Sequence, residues 1–171
     1  DRGTTWANVF TTNPGGTTNF LGISFVSTTT GWVVGSGGNI WKTTDGGATA
    51  WTQQTSGVAV QLNRVDALDA NNVWVAGAPN GAAETLLRTT DGGTNWTNIS
   101  DITGSTITFN DVYFANSTNG WAVGVVGTNG VIYKSVNGGV NWVQQNVGTV
   151  PALNRVQFVD SSTGWGVGNT G

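Results

Sequence analysis

The sequence contains no cysteine, no histidine and no methionine among its 171 residues. Without cysteine the chain has neither a disulfide bridge nor a thiol nucleophile. Without cysteine and histidine it also lacks the usual ligands of zinc and copper. The residue types then allow only a hard-cation site made of oxygen ligands. We therefore predict no cofactor. The missing methionine leads us to expect that a signal peptide was removed, or that the chain comes from something longer.

Charged residues are also scarce: six are basic and nine are acidic, which gives a net charge of −3. In an average soluble protein about a quarter of the residues are charged, so this surface must consist mostly of Thr, Asn, Ser, Gln and Gly. No run of Lys and Arg provides the positive patch of a nucleic-acid-binding protein. No apolar run approaches the ~20 residues of a membrane span. We expect a secreted protein, extracellular or periplasmic, with no nucleic-acid partner and no membrane span.

The chain is built of sequence repeats. An aspartate or asparagine with glycine close behind it recurs at Asp1, Asp45, Asp91 and Asn137, at spacings of 44, 46 and 46 residues. A second landmark has the same phase, because four segments align without gaps and each is followed by a tryptophan at one fixed distance. The segments are 20–26, 62–68, 109–115 and 153–159, and the tryptophans are Trp32, Trp74, Trp121 and Trp165. Two landmarks in one phase indicate a repeat architecture.

Within each repeat the pattern is that of β-strands. The first strand is one of the four aligned segments, in which apolar and polar residues alternate as in a strand with one buried face. The second strand is rich in glycine around its tryptophan, the third leads into the Asp-Gly stretch, and the fourth starts at the next tryptophan. Four short antiparallel strands in each repeat are typical of a propeller blade. We predict second strands over 31–36, 73–78, 120–125 and 164–169, third strands over 39–44, 85–90 and 131–136, and fourth strands over 6–10, 51–55, 96–100 and 142–146.

The predicted fold is an all-β propeller with four-stranded antiparallel blades and about four repeats. It forms a single domain over 1–171, with repeats at approximately 1–44, 45–90, 91–136 and 137–171. The chain starts inside one repeat unit and stops after a second strand. We favour an incomplete ring or a part of a larger propeller. The alternatives are closure by pairing of the terminal strands and completion of the ring by another copy.

The recurring Asp-Gly stretch resembles the Asp-box of BNR-type propellers, [ST]-x-D-x-G-x-x-W. It is matched in full by Thr89, Asp91, Gly93 and Trp96. One copy has Asn137 in place of the aspartate, with Gly139 and Trp142, and another has one extra residue, with Asp45, Gly47 and Trp51. The GW(A/V)VG and [LF]NRV segments resemble those of the photosystem II assembly factor Ycf48 family. The resemblance covers essentially the whole chain and implies a propeller, while function has to be argued from the site.

The boxes have a structural and a functional interpretation. An aspartate beside glycines can bind Ca²⁺, but the box lacks the six to eight oxygen ligands that this ion takes. The structural interpretation is favoured, because the carboxylate can accept N–H bonds of a turn whose glycines adopt positive φ. We therefore assign a structural role to Asp45, Gly47, Trp51, Asp91, Gly93, Trp96, Asn137, Gly139 and Trp142 and predict no metal site.

The positions at which the repeats differ are the candidates for binding. If the first strands line a central channel, the residues on either side of their central aliphatic residue point to the channel or its rim. The Ycf48 resemblance makes Arg64 and Arg155 candidates for an arginine patch that binds a partner. The alternative is that these arginines pair with Asp66, Asp111 or a neighbouring blade. The candidate partner-binding residues are Arg64, Asp66, Asp111, Tyr113 and Arg155.

An enzyme is difficult to build from these residues. Acid–base glycoside hydrolysis needs two positioned carboxylates, and Glu84 is the one glutamate in the sequence. We therefore predict no catalytic residue and a non-enzymatic propeller scaffold or binding module that recognises a protein or glycan partner. One alternative is a structural repeat unit of an extracellular assembly, completed by adjacent chains through self-association of incomplete terminal blades. The other is a fragment of an Asp-box glycosidase.

Overall fold

The fold is seen in a computed structural model that describes residues 3–7, 18–99, 101–102 and 106–169. Within these ranges the chain forms strands and a single short 3-10 turn at Ser36–Gly38, without an α-helix. In chain order the strands are β1 (Phe20–Phe25), β2 (Gly31–Gly35), β3 (Ile40–Thr43), β4 (Thr52–Gln54), β5 (Leu62–Ala67), β6 (Val73–Asn80), β7 (Ala83–Thr89), β8 (Thr97–Asn98), β9 (Thr108–Phe114), β10 (Gly120–Val126), β11 (Asn129–Ser135), β12 (Val143–Gln145), β13 (Leu153–Phe158) and β14 (Gly164–Gly168).

The strands form consecutive antiparallel sheets in which each strand pairs with its neighbour in sequence. Three sheets have four strands, β1–β4, β5–β8 and β9–β12, and β13 pairs with β14. We call these sheets the first, second, third and fourth blades. The predicted all-β fold of propeller blades is thereby confirmed. The strand predicted over 6–10 lies in part outside the described residues.

The hydrophobic core lies between the blades. Within a strand, alternate side chains point to opposite faces of the sheet, so each blade packs against both of its neighbours. Trp74 and Ala76 of the second blade pack against the third blade, whereas Val65 and Val75 pack against the first. A third, smaller cluster around Trp121 joins the third blade to the fourth. Because the packing repeats from blade to blade, the large apolar residues recur at fixed repeat positions.

A glycine near the end of each second strand lets the first strand pass close by. The register of the first and second strands shifts at the same place in every blade, for example between Val123 and Gly124 of β10. A Cβ atom at Gly124 would overlap the carbonyl oxygen of Thr108 and lie 2.9 Å from the Cα atom of Phe109. This position therefore requires glycine for close approach of two backbones.

The Asp-boxes form the turns between third and fourth strands. In the second blade the Thr89 hydroxyl donates to Asp91 Oδ1 at 2.7 Å and accepts the Gly93 N–H at 2.8 Å. Asp91 Oδ1 also accepts the Asn95 N–H at 2.9 Å. This bond, followed by those from the Asn95 side-chain amide and the Thr89 hydroxyl, lowers the pKa of Asp91 to about 2. Both glycines of this box have positive φ. The same bonds recur around Asp45 and Asn137, and among the described residues no group of three acidic side chains could hold a metal ion.

The faces at the two ends of the series of blades are uncovered. On the first blade, Ile23 and Phe25 are 56% and 41% exposed, although the residues aligned with Ile23 in the other blades are buried. On the fourth blade, Trp165 and Val167 are 63% and 57% exposed. The described blades therefore follow one another as an arc and do not cover each other's end faces. None of the described segments is a helix with the length and apolarity of a membrane span.

Candidate functional site

The candidate site lies where the four first strands run side by side. The Asn63 side-chain amide donates to the carbonyl oxygen of Phe109 in the next blade, and that of Asn110 donates to Leu153, both at 2.8 Å. Three positions further along the first strand, the Ser24 hydroxyl accepts the N–H of Ala67 at 3.1 Å. These bonds link each first strand to the next, so β1, β5, β9 and β13 are the innermost strands around a common axis.

All five candidate partner-binding residues meet at this axis. They line one pocket of about 450 Å³, together with Val156, Gln157, Trp165 and Val167. Residues separated by more than 40 positions in the sequence are adjacent here because every blade contributes its innermost strand. We call the five residues the arginine–aspartate cluster: Arg64, Asp66, Asp111, Tyr113 and Arg155.

Arg64 pairs with an aspartate of the next blade. Its Nε atom lies 3.2 Å from Asp111 Oδ1. Asp111 also accepts the backbone N–H of Val112 at 3.0 Å and, through Oδ2, that of Val156 at 2.9 Å. Burial raises the pKa of Asp111, and these N–H bonds and the nearby arginines oppose the rise. Arg64 thus adopts the ion-pair arrangement that the sequence left open as an alternative.

Asp66 is the most strongly perturbed acid of the cluster. Burial raises its pKa to about 6, and the negative charge of Asp111 adds to this rise. The N–H of Phe114 donates to Asp66 Oδ2 at 2.7 Å and, with the charge of Arg64, acts in the opposite direction. Desolvation dominates because one hydrogen bond replaces only part of the lost hydration of a carboxylate. Asp66 therefore changes its charge near pH 6.

Tyr113 and Arg155 differ in how far their polar groups are hydrogen-bonded within the protein. The Tyr113 hydroxyl donates to the carbonyl oxygen of Phe158 at 2.7 Å, and burial, followed by the charge of Asp66, raises its pKa. Arg155 is exposed, and its Nη1 atom donates to the carbonyl oxygen of Asn154 at 2.8 Å. No carboxylate of the described residues lies within 4.0 Å of its guanidinium. The guanidinium of Arg155 is therefore exposed to solvent near the axis.

The structure adds residues that were absent from the candidate set. Arg155 also lines a second pocket, of about 500 Å³, with Leu21, Gln61, Asn63, Asn110 and Asn154. The three asparagines occupy the same repeat position, directly after the first residue of segments 62–68, 109–115 and 153–159. Their recurrence is visible in the sequence, but the binding candidates were sought at other positions, on either side of the central aliphatic residue. Only the tertiary structure shows that these asparagines also line a pocket beside Arg155.

The raised pKa of Asp66 predicts a pH-dependent stability. The folded chain holds this proton up to about pH 6, against about 3.8 for an ordinary aspartate, so Asp66 destabilises the fold progressively as pH rises through that window. Asn in its place still offers an oxygen to the Phe114 N–H. We expect Asp66→Asn to raise the free energy of unfolding by about 1–3 kcal/mol at neutral pH and by much less near pH 4. Urea unfolding at both pH values measures this.

Asp69 provides the control for this prediction. Its carboxylate accepts the N–H groups of Asn71 and Asn72, both at 2.8 Å, and these bonds lower its pKa. Asp69→Asn should therefore give no stabilisation at neutral pH. A gain of equal size in both variants would mean that a general reduction of negative charge, and not the burial of Asp66, is responsible.

A family model of the photosynthesis system II assembly factor YCF48 matches residues 4–103, more than half of the chain. The chain belongs to the YCF48 family. Among solved structures it is similar to YCF48 from Cyanidioschyzon merolae, with 28% identity and a TM-score of 0.60 over 78% of this chain and 38% of that chain. It is also similar to a YCF48 bound to D1 peptide, with 24% identity and a TM-score of 0.64 over 82% of this chain and 44% of that chain.

Glycoside hydrolase propellers share the fold. An ancestral GH74 enzyme matches with 15% identity and a TM-score of 0.63, over 82% of this chain and 22% of that enzyme. At this identity the likeness concerns the fold alone. No curated protein matches the chain. The matched region amounts to less than half the length of each YCF48 chain.

Proposed function

We propose that this YCF48-family chain is a non-enzymatic binding module that recognises an extended peptide at the axis of its blades. The observation that carries the proposal is the state of Arg155. Among the described residues, its Nη1 atom is occupied by carbonyl oxygens, whereas its Nε and Nη2 atoms have no acceptor. Those two N–H groups form one edge of the guanidinium, which fits a carboxylate with two parallel hydrogen bonds.

The surroundings of Arg155 suit a peptide with an acidic group. In the arginine–aspartate cluster, Arg64 is neutralised by its ion pair with Asp111, so the positive charge of Arg155 is the one offered to a ligand by this cluster. The neighbouring pocket is lined by amide side chains, which can donate to and accept from peptide groups. A YCF48 with 24% identity has been solved bound to D1 peptide, and this supports a peptide as the partner.

The two aspartates of the cluster favour binding over catalysis. A pair of carboxylates, one with a raised pKa, is the arrangement of a glycosidase. Here, however, Asp66 Oδ2 accepts the N–H of Phe114, and both oxygens of Asp111 accept backbone N–H groups. These bonds use the carboxylates to join adjacent blades. Absence of hydrolysis in an assay of this chain with glycoside substrates is the expected result, and turnover abolished by Asp66→Asn would contradict it.

A peptide is favoured over a glycan as the partner. Glycan sites commonly offer exposed aromatic faces, yet Trp32, Trp74 and Trp121 at the repeated position are at most 4% exposed. Trp165 is exposed and lines the pocket of the arginine–aspartate cluster, but it does not line the asparagine-lined pocket on the other side of Arg155. We also propose a secreted or periplasmic location, which the scarcity of charge supports and which cell fractionation tests.

The proposal predicts that Arg155→Gln weakens peptide binding. Titration of D1 peptide into the chain, followed by calorimetry, should give saturable binding. We expect the dissociation constant of Arg155→Gln to rise by about tenfold or more, because a charge-assisted hydrogen bond contributes about 1.5–3 kcal/mol. Since salt screens the interaction, the effect should shrink at high ionic strength.

Gln144→Glu is the matched control for Arg155→Gln. This substitution also lowers the net charge by one, but Gln144 lies exposed on β12, the outermost strand of the third blade. Its dissociation constant should remain close to that of the unmodified chain. Equal losses in the two variants would point to the overall charge of the protein, and no binding by the unmodified chain would contradict the proposal.

A further inference from the structure

Four asparagines of the chain are directly followed by glycine: Asn80, Asn119, Asn129 and Asn137. In such an Asn-Gly pair the backbone nitrogen of the glycine can attack Cγ of the asparagine, because glycine has no side chain that shields this nitrogen. The reaction requires a glycine N–H that is not engaged with an acceptor, and a backbone that can bring the nitrogen to Cγ. The surroundings of the four pairs differ in both respects.

The pairs at Asn119 and Asn137 are fixed by hydrogen bonds and burial. The N–H of Gly138 donates to the carbonyl oxygen of Thr118 at 2.8 Å, and the Asn137 side chain is bonded through both of its polar atoms. The Asn119 amide donates to Thr118 Oγ1 at 3.0 Å. Gly120 is buried on β10, which is paired on both sides. Neither glycine nitrogen is therefore available for attack.

The pair at Asn129 has an exposed asparagine but an engaged glycine. The N–H of Gly130 donates to the carbonyl oxygen of Val150 at 2.7 Å. A Cβ atom at Gly130 would overlap the carbonyl oxygen of Pro151, so the segment that leads into β13 encloses this backbone. For an attack on Asn129, the Gly130 N–H would have to leave its acceptor inside a packed region.

The pair at Asn80 has neither constraint. Asn80 is exposed at the end of β6, and Gly81 and Ala82 form the turn into β7. Among the described residues, neither the Gly81 N–H nor the Asn80 side chain has a hydrogen-bond partner. A Cβ atom at Gly81 would have no neighbour within 4 Å. The Gly81 nitrogen is therefore open to reaction.

The hairpin end that carries Asn80 has few backbone bonds to hold it. Pro79 has no N–H to donate to the strand ladder, and the register of β6 and β7 shifts between Gly77 and Asn80. Beyond this shift, Asn80 and Ala83 are the one residue pair that closes the hairpin. Such a segment opens locally at low cost, which lets the Gly81 nitrogen approach Cγ.

We propose that Asn80 is a site of spontaneous deamidation. The Gly81 nitrogen gives up its proton to hydroxide and bonds to Cγ of Asn80, and the Cγ–Nδ2 bond breaks so that ammonia leaves with a proton from water. A second water molecule then opens the cyclic imide. Cleavage between the nitrogen and Cγ gives aspartate, whereas cleavage at the main-chain carbonyl carbon gives isoaspartate, in which the chain runs through Cβ.

The new carboxylate would change the charge of a pocket between the first and second blades. Asn80 lines this pocket, of about 690 Å³, together with the amide side chains of Asn39 and Gln53, and none of its lining residues is charged. Deamidation would add one negative charge there and take the net charge of the chain from −3 to −4. A neutral pocket would thus become one that attracts cations and repels acidic ligands.

Incubation of the folded 171-residue chain, followed by peptide mass spectrometry that separates aspartate from isoaspartate, tests the proposal. Asn129 is the matched control, since its side chain is also exposed and has no hydrogen-bond partner among the described residues. We expect deamidation at Asn80 to be faster by about tenfold or more, the factor that one backbone hydrogen bond contributes. Both rates should rise with pH, because the glycine nitrogen must lose its proton. No deamidation at Asn80, or equal rates at the two sites, would overturn the proposal.

Two further measurements separate the fold from the local sequence. In urea the pairs at Asn80 and Asn129 should react at similar rates, because unfolding frees the Gly130 N–H. A difference that persists in urea would attribute the selectivity to neighbouring residues and contradict the structural explanation. On ion exchange, Asn80→Gln should abolish the more acidic species that the folded chain forms with time, whereas Asn129→Gln should leave it unchanged. An acidic species that persists in Asn80→Gln would place the reaction elsewhere and contradict the assignment.

Discussion

Trp74→Ala is expected to lower the free energy of unfolding by about 3–5 kcal/mol, the usual cost of removing a large buried aromatic side chain. Trp74 is 1% exposed, stacks on Phe114, and donates its indole N–H to the carbonyl oxygen of Gly138 at 3.0 Å. The Arg88 guanidinium lies over the indole ring, 5.7 Å from its centroid. The substitution would therefore remove contacts with the first strand and the box of the third blade at once. Urea unfolding monitored by circular dichroism measures the loss.

Trp165→Ala is the control for Trp74→Ala, since it removes the same side chain from the same repeat position. Because Trp165 is 63% exposed, we expect a loss below about 1 kcal/mol in the same measurement. Similar losses at the two positions would mean that packing between blades does not determine stability. The comparison thus tests directly whether the core of this protein lies between its sheets.

Gly124→Ala is expected to destabilise the chain by about 3 kcal/mol or more, or to prevent folding, because the new methyl group meets backbone instead of a side chain that can move. Its Cβ would overlap the Thr108 carbonyl oxygen. The strain would move β9 and β10 apart at the place where their register shifts. Thermal unfolding and the yield of soluble protein measure the effect.

Gly166→Ala is the matched control for Gly124→Ala. It also lies on a second strand, but the nearest atom to its Cβ would be the Arg155 carbonyl oxygen at 3.7 Å, an ordinary contact distance. We expect a change within about 0.5 kcal/mol. Equal destabilisation at both positions would mean that a methyl group anywhere on the second strand is harmful, and would not support close approach of two backbones at Gly124 as the cause.

These packing rules connect stability to the candidate site. The innermost strands carry both the bonds that join the blades and the side chains of the arginine–aspartate cluster. Asp66, Asp111 and Tyr113 each have a polar group bonded to the backbone of the next blade. They therefore act mainly to fix the spacing of the strands, and this spacing holds Arg155 and the neighbouring amide side chains at the axis. A ligand that binds Arg155 meets a surface that is already ordered.

Much of the fold could be predicted from the sequence because equivalent positions of each repeat pack in the same way. The same residue types therefore recur at the same spacing. The fixed distance between the central aliphatic residue and the tryptophan, nine positions in each repeat, reflects a first and a second strand joined by a short turn. The observed strand pairs place these residues on adjacent strands, as with Val65 on β5 and Trp74 on β6. The local residue pattern therefore indicated the strands and their order, and the recurring motifs indicated the family resemblance.

The residue-level roles at the axis depended on tertiary structure. In the sequence, Arg64, Asp111 and Arg155 stand at a position where the repeats differ. For the two arginines, a partner-binding patch and an ion pair within the protein were equally consistent with the sequence. The fold separates them, because Arg64 is followed by a blade that carries Asp111, whereas Arg155 is followed by none among the described residues.

The sequence alone determined the repeat, the four-stranded blade and the structural turn of the Asp-box, since each depends on residues close together in the chain. Only the tertiary structure decided which face of each blade is covered and which charges are neutralised. The physical reason is that these properties arise between strands more than 40 residues apart, where one blade meets the next. The same repeat position is consequently occupied by a buried core residue in Trp74 and by an exposed side chain in Trp165.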